Sequence, residues 1–148
     1  MDVAIRKIEP GIFISFYGYG NQPEEIAQMK CDAWCRQQHL DPGGAIVYGF
    51  NNPNPIPDSA KYGYEIWVQV ISGEEPQGDS RIVEFHGGDY AVVECVGASN
   101  MLQRWQSVYA WCMDHKYTLG YHQALEQVTR GHPDPNEMIF ALYCPITL

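Results

Sequence analysis

The chain contains an internal repeat, and this repeat limits the possible folds more than any other feature of the sequence. Sliding the sequence along itself aligns Glu9–Ile14 with His86–Ala91, and Ala33–Cys35 with Ala110–Cys112. In each half a glycine turn leads into a strand that carries an aromatic residue, and a helix follows. One half alone is too small to bury its helix well, so the halves are expected to fold as one structure.

Local patterns predict the same order of elements in both halves. Pro23 followed by two glutamates marks a helix start, and apolar residues at helical spacing mark a second helix after Asn100. Runs rich in β-branched and aromatic residues mark the strands. The predicted helices are 23–39 and 100–115, and the predicted strands are 12–17, 45–50, 64–70, 82–96 with a break at Gly87-Gly88, 121–129 and 138–146.

These elements predict an α+β fold. Two tandem β-α-β-β units, related by a pseudo-twofold axis, should form an antiparallel sheet with two main helices and a ligand cleft between the halves. The length of 148 residues suits a single domain, residues 1–148. Its halves span about 3–71 and 80–147, and the Gly-, Glu- and Pro-rich segment 72–79 links them.

Charge argues against nucleic acid as a direct partner. The chain has a formal net charge of −9, and its nine basic residues are scattered along the sequence. An acidic surface repels phosphate backbones, so no direct nucleic-acid binding is expected. No apolar stretch is long enough to span a bilayer, and the N-terminus does not resemble a signal peptide, so a cytoplasmic protein without membrane contact is expected.

The five cysteines form an odd set without a Cys-x-x-Cys pair, which favours reduced thiols over a disulfide framework. Cys31, Cys35 and His39 share one side of the first predicted helix, but a metal site needs a fourth converging ligand. The repeat instead aligns Cys35 with Cys112, on the apolar stripe of the second helix. Buried structural thiols are therefore expected, with no metal and no cofactor.

Four short motifs resemble a known family in their order and spacing. Gly87–Val92 resembles a "GG-x-YAV" strand entry, and Tyr48–Pro53 resembles a strand that ends in an Asn-Pro turn. Tyr64–Val68 follows that turn, and Leu125-Glu126 occupies the penultimate strand. Together they resemble the gyrase-inhibitor-like (GyrI-like) effector-binding domain. This module occurs at the end of AraC- and MerR-type transcription regulators and also as a stand-alone protein.

The resemblance implies a function and a site. Members of this family hold a small molecule in a pocket between two pseudo-symmetric halves, lined by aromatic rings, and a glutamate of the penultimate strand faces the ligand. In this chain that glutamate is Glu126. The family's regulators also carry a helix-turn-helix domain, which is not expected within these 148 residues.

A carboxylate among aromatic rings is suited to hydrophobic cations. Burial of an unpaired carboxylate costs several kcal/mol, and a bound cation relieves that cost. Each ring face adds about 0.5 to 2 kcal/mol through its quadrupole. The expected ligands are hydrophobic, planar and cationic small molecules, and a homodimer is possible. The candidate ligand-binding residues are Glu126, Tyr48, Phe50, Trp67, Trp105, Tyr109 and Tyr143.

Three alternatives stay open from the sequence. The same pocket could hydrolyse an electrophilic, cyclopropane-type toxin with Glu126 activating water, although binding is favoured over catalysis. A gyrase-inhibitor-like protein-interaction role is the second alternative. The third concerns the charge itself, because Glu65, Glu94 and Asp89 are rival carboxylates, each expected to point to water.

Overall fold

The computed structural model describes residues 1–148, apart from the side chain of Pro42. The described residues form two α-helices and nine strands, with short 3-10 turns between some of them. In chain order these are β1 (Ala4–Ile8), β2 (Gly11–Gly20), α1 (Pro23–Gln37), β3 (Val47–Asn51), β4 (Tyr62–Gln69), β5 (Arg81–Phe85), β6 (Gly88–Val96), α2 (Met101–Asp114), β7 (Thr118–Leu119), β8 (Leu125–Arg130) and β9 (Ile139–Thr147).

The elements fall into two compact units. The first unit is Gly11–Phe85, and the second unit combines Met1–Pro10 with His86–Leu148. Each unit contains the predicted β-α-β-β order: β2, α1, β3 and β4 in the first, and β6, α2, β8 and β9 in the second. All strand pairs within each unit are antiparallel. The α+β prediction, with an antiparallel sheet and two main helices, is confirmed.

The strand that leads each repeat pairs inside the other repeat's unit. Strand β5 precedes the second repeat but pairs with β2, so that Phe85 lies opposite Gly11. Strand β1 precedes the first repeat but pairs with β6, so that Ile8 lies opposite Gly88. The two registers are equivalent under the repeat. The repeat therefore includes a reciprocal exchange of the leading strands, which the sequence pattern did not predict.

In the first unit the strand order is β3-β4-β2-β5, and α1 covers one face. Strand residues alternate between faces, so Ile14 and Phe16 of β2 lie on the same side as Ile66 and Val68 of β4. These four side chains pack against the helix residues Ala27, Cys31, Trp34 and Cys35. The alternate residues of these strands point to the opposite face of the sheet.

In the second unit the order is β1-β6-β9-β8, with β7 beside β9. Helix α2 buries Val108 and Cys112 from the apolar stripe expected from its sequence. They pack on alternate residues of β6 and β9, which are Ala91, Val93, Cys95, Phe140, Leu142, Cys144 and Ile146.

Strand β8 begins at Leu125, later than the predicted start at Tyr121. The residues before it are bound by side-chain contacts instead of strand pairing. His122 Nε2 donates to the Asp89 carbonyl (2.7 Å), and Tyr90 Oη donates to the Gln123 carbonyl (2.6 Å). A Cβ at Gly88 would collide with the His122 ring. This explains why the second position of the Gly-Gly motif is a glycine.

All five cysteines are buried, as expected for structural thiols. Burial raises the pKa of the Cys31 thiol, and it raises the pKa of Cys144 to about 12. We expect the folded protein to take up no iodoacetamide at pH 8 and the guanidine-unfolded protein to take up five equivalents. Intact mass measures the label, and rapid labelling of a native cysteine would contradict the burial.

Neither described helix is long and apolar enough to cross a membrane.

Candidate functional site

The face of the first-unit sheet opposite α1 carries a cluster of aromatic rings. Phe13 stands at the centre, with its ring centroid 5.8 Å from those of Tyr48 and Trp67 and 6.0 Å from that of Phe85. Phe50 meets Trp67 edge to face at 5.0 Å. Tyr48 and Phe50 lie opposite Trp67 and Glu65 in the β3–β4 register, which puts them on one face. We call these five rings the aromatic face.

Glu65 is the charged residue at this aromatic face, and it is only 3% exposed. Its neighbours across the strands are Phe50 on β3 and Tyr17 on β2. Two residues along β4 lies Trp67, whose side chain must point to the same side of the sheet. The strand pleat therefore carries the carboxylate into the same environment as the rings.

Both carboxylate oxygens of Glu65 accept hydrogen bonds. Oε1 accepts from Ser15 Oγ (2.7 Å) and Arg81 Nη2 (2.9 Å), with a longer contact to Trp67 Nε1 (3.4 Å). Oε2 accepts from Asn52 Nδ2 (2.7 Å). These donors offset the lost hydration and allow a charged group to stay buried. The site therefore combines a fixed negative charge with apolar ring surfaces.

The expectation that Glu65 points to water is wrong. Its i+2 spacing to Trp67 contained the signal, because Trp67 is a predicted wall residue and period two puts both on one face. Ser15, Arg81 and Asn52 were also missed, since their role depends on pairing between strands distant in sequence. Glu94 is exposed as expected, and Asp89 is intermediate.

Of the predicted ring residues, the structure brings Tyr48, Phe50 and Trp67 together on the aromatic face. It adds Phe13 and Phe85, which the sequence did not single out. Phe13 lies on β2 and Phe85 on β5, and only the register of the sheet shows that both point to this face.

The remaining predicted residues belong to the second unit. Glu126 lies opposite Leu142 on β9, and Leu142 belongs to the core beneath α2, so Glu126 is on the helix-covered face. Tyr143 lies opposite Leu125, on the other face of that sheet, and its hydroxyl donates to Gln127 Oε1 (2.8 Å). Glu126 and Tyr143 therefore point to opposite sides of their sheet.

Trp105 and Tyr109 lie one turn apart on α2, with stacked rings 6.0 Å between centroids. Trp105 packs against the second-unit core, and burial raises the pKa of the Tyr109 hydroxyl. They share the helix side of the sheet with Glu126, so three of the predicted residues are on that side.

The buried carboxylate of Glu65 has no counterpart in the second half of the repeat. The strand pairing makes Trp67 equivalent to Tyr143, because each lies opposite the corresponding residue of its neighbouring strand. By the same equivalence Ala141 of β9 occupies the position that Glu65 has in β4. The second unit thus has the small residue Ala141 where the first has a carboxylate, and Tyr143 where the first has Trp67.

The residues that the structure describes contain no group of three or more metal-binding side chains. Cys31 and Cys35 are buried against the sheet, while His39 lies past the end of α1 with a positive φ of 52°. The end of α1 therefore separates His39 from the two cysteines, which helical spacing had placed on one side.

Comparison with known proteins gives the family. A family model described as integron-associated effector-binding protein matches residues 13–146. No curated protein sequence matches the chain. Several solved structures share its fold at identities too low to transfer a function.

Three of these structures are informative. The protein SAV2435 bound to tetraphenylphosphonium is 16% identical, with a TM-score of 0.61 over 99% of this chain and 94% of that one. An EcmrR–DNA complex is 13% identical, with a TM-score of 0.72 over 98% of this chain and 57% of the EcmrR chain. A hydrolase from Listeria innocua is 11% identical, with a TM-score of 0.69 over 98% and 91%.

Proposed function

Because the chain belongs to the family of integron-associated effector-binding proteins, we propose that it binds hydrophobic organic cations that carry flat aromatic groups. The binding site lies at the aromatic face of the first unit, whose five rings are each buried to 7% exposure or less, and Glu65 is the counter-charge. The observation that carries the proposal is a carboxylate, 3% exposed, on the same face of the sheet as five clustered aromatic rings.

The chemistry of this site selects for charge and for shape. A cation near Glu65 gains Coulomb energy that water screens little, because the carboxylate is buried. The faces of Trp67, Tyr48 and Phe50 add cation–π attraction, and flat aromatic groups of the ligand stack on the same rings. An anion of equal size and hydrophobicity would meet repulsion from the same carboxylate.

Two relatives with this fold are compatible with the proposal. One was solved with tetraphenylphosphonium, a hydrophobic cation, and the other, EcmrR, was solved in complex with DNA. We therefore propose that ligand occupancy of this chain serves transcription regulation of the AraC or MerR type. Direct DNA contact by these residues is not part of the proposal, since the net charge is −9.

Binding is a better proposal than hydrolysis for Glu65. A general base needs a lone pair directed at the proton that it abstracts. Here Ser15, Arg81 and Asn52 already direct donors at the two oxygens. Hydrolysis of a strained electrophile and a gyrase-directed role stay as predictions from the sequence alone.

The experiment uses two ions of the same shape and opposite charge. We expect isothermal titration calorimetry to show binding of tetraphenylphosphonium, with tetraphenylborate weaker by about tenfold or more, which corresponds to about 1.4 kcal/mol. Equal affinity for the two ions would contradict a charge-selective site, and no binding of the cation or of a rhodamine dye would remove the proposal.

The family resemblance assigns the ligand-facing carboxylate to Glu126. Glu126, Trp105, Tyr109 and Tyr143 stay proposed ligand-binding residues, separate from the site at Glu65. The position of Glu126 on the α2 side of the second-unit sheet distinguishes it from Glu65. We expect Glu126→Gln to retain most of the affinity for tetraphenylphosphonium. A loss of tenfold or more in this variant would instead assign the counter-charge to Glu126.

A further inference from the structure

Arg81 is an exposed residue at the edge of the proposed site. It is the first residue of β5 and lies opposite Ser15 of β2, which directs its side chain to the aromatic face. Its Nη2 is 2.9 Å from Glu65 Oε1, yet the Arg81 side chain is 61% exposed and that of Glu65 only 4%. One end of the ion pair is therefore buried and the other is hydrated.

The form of this contact makes it replaceable. Arginine binds a carboxylate most strongly through two parallel hydrogen bonds, whereas here one nitrogen of Arg81 meets one oxygen of Glu65. Ser15 donates to the same oxygen at 2.7 Å and would remain if Arg81 moved away. An exposed guanidinium also regains water readily when it leaves, which lowers the cost of separation.

A hydrophobic cation at the aromatic face would compete with this guanidinium. Both are positive, and both are attracted by the same buried carboxylate. If the ligand's charge approaches Oε1, Arg81 has to withdraw or tolerate a like charge nearby. The two binding events are thus coupled, and each weakens the other by the same factor.

We propose that Arg81 is a resident counter-ion of Glu65 that an incoming organic cation displaces, so that Arg81 sets the affinity and the charge selectivity of the site. The inference rests on the proposed function. In the empty protein Arg81 compensates the carboxylate, and on ligand binding its side chain turns outward into water. A neutral ligand would leave the ion pair intact.

The test compares Arg81→Met with Arg36→Met, which also removes one positive charge from the first unit but at an exposed position at the end of α1. We expect Arg81→Met to bind tetraphenylphosphonium about tenfold more tightly than the wild type, within the usual range of coupling between sites. Arg36→Met and the charge-retaining Arg81→Lys should stay close to the wild type. Thermal unfolding of each variant checks that it is folded.

A second measurement supplies the missing group in trans. Methylguanidinium, added to Arg81→Met at constant ionic strength, should compete with tetraphenylphosphonium and weaken its binding toward the wild-type level. The same salt should have little effect on the wild type, where Arg81 holds the position. Sodium chloride of equal concentration is the control for screening.

The outcomes separate this inference from the proposed function. Wild-type binding together with unchanged or weaker binding in Arg81→Met overturns the inference and leaves the proposed function standing. Binding in both proteins, tighter in Arg81→Met than in the wild type, supports the inference, since the resident arginine then opposes the ligand. If neither protein binds the cation, the proposed function fails and the inference fails with it.

Discussion

Glu65→Gln is expected to weaken tetraphenylphosphonium binding by about 30-fold or more, because removal of one partner of a buried charge pair costs about 2 to 5 kcal/mol. The change keeps the size of the side chain and leaves the rings of Trp67 and Phe50 in position. It removes the negative charge that attracts the ligand's positive charge and replaces one carboxylate oxygen by an amide nitrogen. Calorimetric titration measures the loss, and tetraphenylborate should bind the variant better than it binds the wild type.

The matched control for this variant is Glu94→Gln, which removes one negative charge from an exposed position on β6. It should leave both affinities within about twofold, since exposed charges are screened by salt. Thermal unfolding separates binding from stability, because a glutamine amide would face the Asn52 donor that now meets Oε2. A folded Glu65→Gln protein with undiminished cation affinity would refute the proposed role of Glu65.

The repeat made much of this fold predictable. The two halves share a β-α-β-β order because each has the same turn, strand and helix signals, and both helices begin within one residue of the predicted starts. The repeat also identified the buried side of α1: alignment with α2 matched Cys35 to Cys112 of the apolar stripe, and Cys35 is buried.

The exchange of the leading strands could not be predicted in the same way. Ala4–Ile8 is short, and three of its five residues are exposed, so its pattern does not distinguish a strand from an extended terminus. Its partner β6 is distant in sequence, and pairing over such a separation depends on the whole sheet. The short β7 depends on β9 for the same reason.

The site shows which inferences a single sequence permits. Period-two alternation predicts that Tyr48 and Phe50 lie on one face, and the register agrees with this. The same rule applied to Trp67 would have included Glu65, but a glutamate in a strand is usually solvated, and no local signal shows its donors. Ser15 and Arg81 are 50 and 16 residues from Glu65, so the hydrogen bonds that keep it buried exist only in the folded protein.

Gly63→Ala is the substitution expected to cost the most stability. A Cβ at this position would overlap the carbonyl oxygen of Asn52 and the hydroxyl of Tyr17. The backbone leaves little room for adjustment, because Asn52 N donates to Gly63 O (2.8 Å) and Gly63 N donates to Pro53 O (3.1 Å). Overpacking of this kind costs about 1 to 3 kcal/mol. In a protein of this size the midpoint of thermal unfolding should fall by about 3 to 10 °C.

The same substitution should also weaken ligand binding, because the displaced segment carries the Asn52 amide that donates to Glu65 Oε2. The control is Gly131→Ala, since a Cβ there meets no atom within 4 Å. It should leave the unfolding midpoint and the affinity for tetraphenylphosphonium unchanged. If Gly63→Ala unfolded within about 1 °C of the wild type, the close approach of β4 to the Asn52-Pro53 turn would be wrong. If it lost stability but kept its affinity, Asn52 would not be needed to hold Glu65 in its binding geometry.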